Sequence, residues 1–207
     1  MQLKQEYINQ DIEQVRKDEI KDRRIKTWAG EYIDPVRPNE RNIRIDDIAH
    51  SLSLVCRYGG HIPQFYSVAD HSINVLNRVE GLGVTNPRIR LMALLHDAEE
   101  AYFGDMPSPL KDNYMDYRTH GNMMRHIIYD KYIPFWYATD PNDRSVIDKA
   151  DAEVYLMERS SFFTPFEEAS EFMAKRFNME PLRARSFTQA ENTFILRYEM
   201  LTNELSK

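Results

Sequence analysis

Cysteine occurs once in the 207 residues, at Cys56. One chain can therefore build neither a disulfide framework nor a multi-thiolate zinc site, and a reducing compartment is expected. Glycine is scarce, with 7, and proline is held to 10; a disordered chain or a turn-dense β-sandwich would carry more. No apolar run of about 18 residues is present, so no membrane span is expected. Met1 is followed by the polar stretch QLKQEYINQ, which predicts no signal peptide and a cytoplasmic setting. A basic excess is missing too. The net charge is −6, and tight binding of duplex nucleic acid needs a basic face. A small anionic substrate remains compatible, because a metal and a few local cations can outweigh the global charge.

What is present is helical patterning. Hydrophobic residues make up 42% of the chain and charged residues 29%, enough for a core inside a charged surface. The expected fold is all-α: one domain over residues 27–207 behind a charged extension, 1–26, where Ile8, Ile12 and Val15 have the spacing of a thin surface helix. Residues 27–41 read as a loop with a short strand pair around Trp28 and Tyr32. Asp46 or Asp47 is placed to cap a helix over residues 48–58, closed by Gly59 and Gly60. Ser67 or Asp70 opens the next, running through Asn77. Pro87 opens a continuous helix from Arg88 to about Phe103, stopped by Gly104, Pro107 and Pro109. Further helices are expected around 113–130, 144–160, 167–176 and 188–204.

The chemistry concentrates in LLHDAEEAYFGDMPSPLK, residues 94–111. Leu91, Leu94, Leu95, Ala98, Ala101 and Tyr102 form a buried stripe, with His96, Asp97 and Glu100 on its border. A carboxylate so placed must be paired or must coordinate a metal. His71 falls in register with Val68, Val75 and Val79, pointing where a core residue should. Asp151 shares a face with Ile147, Val154 and Tyr155; Glu158 continues that face one turn later, as if the helix were leaving the core there. Asp148 competes with Asp151, which is preferred for its inward position. Two imidazoles and two carboxylates form a mixed nitrogen and oxygen set. It suits one divalent manganese, iron, cobalt, nickel or zinc ion.

His71, His96-Asp97 and Asp151 together resemble the H…HD…D signature of HD-domain phosphohydrolases. The segments YSVADHS (66–72), LLHDAEEAYFGDMPSPLK and KADA (149–152) resemble the bacterial 5′-deoxynucleotidases of that superfamily. The run IDDIAHSLSLVCRYGGH (45–61) resembles its short phage members, including dATP triphosphohydrolases. The resemblance covers about residues 27–157. It implies an HD-type helical bundle in a bacterial or phage-infected cell, with His71, His96, Asp97 and Asp151 on one metal. It further implies Glu100 as general base or as the residue that positions the attacking water, Asp105 at the sugar or in proton transfer, Lys111 and Arg57 on phosphate, and Tyr58 stacked on the base. The implied substrate is a small deoxynucleotide phosphate, a triphosphate ahead of a monophosphate. A guanosine-tetraphosphate hydrolase and a non-catalytic nucleotide-binding module are the alternatives.

Other candidates have plainer expectations. His61 follows two glycines and is a candidate for lining the pocket. His50, His120 and His126 are expected at the surface or in packing, and Glu99 solvated or ion-paired. Trp28 and Trp136 are expected as packing anchors, and Met115, Met123 and Met124 as core filler. Relatives self-associate, which implies a dimer or larger homo-oligomer; Phe194, Ile195 and Leu201 on the last helix are candidate contact positions.

Overall fold

The computed structural model describes residues 24–111 and 113–206; the helix expected over Ile8–Val15 lies outside them. Among the described residues are two short strands, β1 (Ile25–Lys26) and β2 (Tyr32–Ile33), and nine α-helices: α1 (Ile45–Leu54), α2 (Val68–Gly81), α3 (Pro87–Leu94), α4 (Glu100–Phe103), α5 (Ser108–Lys111), α6 (Met115–Tyr132), α7 (Pro141–Phe163), α8 (Phe166–Phe177) and α9 (Phe187–Leu205). The fold is all-α. The strands pair antiparallel with Lys26 opposite Tyr32, forming a small hairpin that carries Trp28. No helix among the described residues is long and apolar enough to cross a membrane.

Helix α2 is the hub, packed against α1, α3, α7 and α9. Its Ser67 cap accepts the Asp70 N–H, the arrangement that makes serine a good helix start. Val68, Val75, Leu76 and Val79 are buried in the shared core. Asp70 is buried as well, ion-paired to the Arg185 guanidinium and accepting the Arg185 N–H at 2.7 Å. This bond anchors the segment before α9 onto α2, one residue from His71. The α9 start carries a full capping box between Ser186 and Gln189.

Several boundaries differ from expectation. Helix α1 begins at Ile45 after Arg44, whose side chain makes no capping bond to the helix backbone. Asp46 and Asp47 lie in its first turn, where a carboxylate favours the positive end of the helix, and Asp47 also accepts the Ala29 N–H at 2.7 Å. The helix stops at Leu54, before the glycines. Val55 to Arg57 then run extended against Tyr66 to Val68, with Arg57 N–H to Tyr66 O at 2.9 Å and Val68 N–H to Val55 O at 3.0 Å. The continuous helix expected from Arg88 to Phe103 is broken at Leu95–Glu99, where tight bonds such as Ala98 N–H to Leu95 O and Glu100 N–H to Asp97 O replace the helical ladder. Such tightened stretches inside helices often mark functional positions.

Packing roles differ too. Phe194 and Leu201 are fully buried under α1 and α3 and offer no contact surface, so Ile195, half-buried, is left without partners for that role. Met124 is in the core, whereas Met115 and Met123 are exposed; the helix turns those faces outward. Trp136 packs against Tyr129 and His126, while Trp28 is exposed and stacks on His50.

Candidate metal centre

The break between α3 and α4 decides the geometry. In a regular helix successive side chains diverge by about 100°. Here the tight turn aims neighbouring residues at one point: His96 Nε2 and Asp97 Oδ2 lie 3.2 Å apart. His71, from the middle of α2, brings its Nε2 to 3.3 Å from His96 Nε2 and 3.7 Å from Asp97 Oδ2. These three ligand atoms lie within 4.8 Å of one another and could hold a metal ion. Asp151 stands at the edge of this set, its side chain 46% exposed and its Oδ1 3.1 Å from His71 Nε2. Asp148 is exposed and makes no such contact.

The second nitrogen of each ring shows that the set fits a cation. His96 Nδ1 lies 2.9 Å from Ala93 O, an acceptor only, so Nδ1 carries the proton. His71 Nδ1 lies 2.7 Å from Glu158 Oε1 and donates to that carboxylate. With those protons on Nδ1, both Nε2 lone pairs face each other across 3.3 Å with Asp97 beside them, an arrangement that a cation would satisfy. Ligands roughly 2.0–2.2 Å from one ion stand about 3–3.5 Å apart; the pairs on His96 have that spacing, at 3.2 and 3.3 Å, and the His71–Asp97 pair is slightly wider at 3.7 Å. The acids also draw protons onto the rings: burial pushes His96 down, but the Asp97 charge and contact outweigh it and raise it to about 9. Asp97 is opposed by burial, yet His96, His71 and Arg57 hold it well below the carboxylate range.

Glu158 was missed in the sequence. Fully buried on α7, it joins His71 to Tyr58, whose hydroxyl donates at 2.6 Å, and to Arg57 at 3.5 Å. Burial opposes its charge, but His71 and Arg57 hold it down to about 2. The face bearing Asp151 stays in the core through this turn. The available signal was the seven-residue step from Asp151, which keeps both carboxylates on one stripe.

Arg57 spans Glu158 and Asp97, the latter at 3.9 Å. Tyr58 is held at φ 60°, an uncommon conformation for a non-glycine residue. Both line a cleft of about 720 Å³ with Asp105, Tyr155 and Arg159. The Tyr58 and Tyr155 rings lie 6.4 Å apart and 30° from parallel. Glu100 is buried, with one oxygen bonded to Lys111 Nζ and the other unpartnered. Burial and the Asp97 charge push its carboxyl up, while Lys111 pulls it back. Lys111 is thus placed on Glu100. His61 is exposed and does not line the cleft. Glu99 is not solvated: it is buried and ion-paired to Arg125 at 2.7 Å.

No family model matches the chain. Curated bacterial proteins similar to it include the uncharacterized protein YfdR of Escherichia coli K12, 39% identical over 108 residues, which is 52% of this chain and 57% of that protein. An uncharacterized protein of Rhodobacter capsulatus is 43% identical over 89 residues, 40% of this chain and 44% of the relative. The chain spans about half the length of the curated relatives it matches.

Proposed function

We propose that the protein is a metal-dependent phosphohydrolase of the HD type acting on small deoxynucleotide phosphates, with His71, His96, Asp97 and Asp151 holding one divalent manganese, cobalt, zinc, iron or nickel ion. The observation that carries this reading is the pair of facing His71 and His96 Nε2 atoms beside Asp97, with both Nδ1 atoms already engaged as donors. Bound there, a divalent ion supplies Lewis acidity, polarising a phosphoryl oxygen and acidifying water.

The remaining steps belong to the chain. Arg57, fixed by Glu158 and Asp97 at the cleft wall, presents a planar cation to a phosphate and offsets charge as it develops. Glu100, buried within the field of Asp97, takes the proton of the attacking water. The water oxygen bonds to phosphorus, the bond from phosphorus to the nucleoside oxygen breaks, and that oxygen leaves as an alcohol after protonation. Asp105, on the cleft wall, gives that proton or binds the sugar in this reading. Tyr58 and Tyr155, 6.4 Å apart, offer aromatic faces for a base.

The test is a release assay for phosphate, pyrophosphate and tripolyphosphate over all deoxynucleoside mono- and triphosphates and guanosine tetraphosphate, with manganese, cobalt or zinc added after chelation. Turnover of a deoxynucleotide that stops on chelation is expected. Release of 3′-pyrophosphate from guanosine tetraphosphate alone would assign the alternative substrate, and turnover indifferent to chelation would reject the metal role.

A further inference from the structure

Two openings reach the ligand cluster. One is the cleft of Arg57, Tyr58 and Tyr155. The other is a pocket of about 390 Å³ walled by His96 and Asp97, with Arg125, Arg144 and Asp148 around it. Asp151 is the one residue common to both linings, so the cluster stands between them.

The charges of this second pocket are unevenly engaged. Arg125 is bonded to Glu99 and Asn122. Arg144 and Asp148, four residues apart on α7, are spaced for an ion pair with each other. Yet among the described residues neither side chain has a hydrogen-bond or ion-pair partner. An arginine and a carboxylate left open side by side suit a phosphate chain that arrives with magnesium. The guanidinium takes phosphate oxygens, and the carboxylate takes the ion or its waters. A nucleoside monophosphate has no atoms left to place there once its single phosphate is at the cluster.

We propose that this pocket receives the phosphates beyond the first, so that the substrate is a nucleoside polyphosphate lying across the metal centre, with Arg144 as the residue that selects chain length. This rests on the phosphohydrolase reading above. The position of Arg144 on an exposed first turn means that its replacement leaves the core intact.

The experiment is calorimetric titration of the manganese-loaded protein with tripolyphosphate and with inorganic phosphate, for the wild type, Arg144→Ala and Arg144→Lys, alongside KM for a deoxynucleoside triphosphate and its monophosphate. Arg144→Ala should weaken tripolyphosphate relative to phosphate by about tenfold or more, as for loss of a charged hydrogen-bond partner. It should raise the triphosphate KM relative to the monophosphate KM by a similar factor, with Arg144→Lys in between. An unchanged ratio in both measurements overturns the proposal even if deoxynucleotides are hydrolysed. If no nucleotide is turned over but tripolyphosphate binding still depends on Arg144, the phosphohydrolase reading fails and the phosphate-chain site stands.

Discussion

Glu158 accepts a 2.7 Å hydrogen bond from His71 Nδ1 across 87 positions of sequence, joining α7 to α2 behind the ligand cluster. The bond fixes which nitrogen of His71 faces the cluster, since the other is held as the donor. It also balances the charge of the largely buried Arg57.

Replacing this carboxylate should therefore act on metal binding first. Glu158→Gln keeps the shape and loses the charge, and metal affinity should fall about 10–100-fold, the usual effect of losing such a partner. Glu158→Ala also leaves Arg57 and Tyr58 without their acceptor, and should cost about 3–5 kcal/mol of stability. Metal titration and denaturant unfolding of both variants check this. Unchanged metal affinity in Glu158→Gln would show that His71 is oriented by packing alone.

His96→Ala combined with Asp97→Ala should abolish stoichiometric metal binding, because the tight turn supplies two of the three converging ligand atoms. Elemental analysis of protein purified with manganese or zinc measures it. Full occupancy in the double variant would move the site elsewhere.

The fold and most of this cluster were legible because helical periodicity reports burial. His71 in step with Val68 and Val75 was readable as inward-facing; Asp151, in step with Ile147 and Val154, reaches His71 but from the rim, with its side chain 46% exposed. Periodicity could not reveal the break after Leu94, since a turn of tight bonds uses the same residue types as a helix. It also misjudged Glu158. A glutamate on an apolar stripe looks like the edge of the core until the partners that stabilise it, His71 and Arg57, are brought in from distant segments. Lys111 was legible as a nearby cation, but its pairing with Glu100 depends on how α5 folds back after Gly104, which adopts φ 74°, a conformation favouring glycine.

Away from the site, Glu80 on α2 binds Arg90 of α3 and Arg197 of α9, each at 2.5 Å. Partial burial pushes its carboxyl up, but the bonds and charges of Arg197 and Arg90 outweigh this and hold it below the ordinary range. A carboxyl depressed in the folded state stabilises fully above its unfolded pKa, about 4.3, and loses that contribution as pH falls through the folded value. Glu80→Gln should thus be destabilised by about 1 kcal/mol or less at neutral pH, the range for partly exposed pairs. The gap to wild type should close as pH drops below about 4. Urea unfolding across pH measures both; a gap that persists at low pH would assign the effect to packing.

The pairing of Lys111 with Glu100 separates two roles for the lysine. Glu100→Gln should keep the metal and lose turnover on the order of 10²-fold or more, as for removal of a general base, and Glu99→Gln should lose less, since Glu99 faces Arg125. Lys111→Met removes the cation that holds the Glu100 carboxyl down. The Glu100 pKa then rises, so the base becomes ionised only at higher pH, and the acid limb of the pH–rate profile should move upward. A lysine that instead gripped phosphate would raise KM and leave that limb in place. Profiles of kcat and KM for Lys111→Met against wild type distinguish the two. A shifted limb assigns the lysine to the base, and a raised KM with an unshifted limb returns it to the substrate.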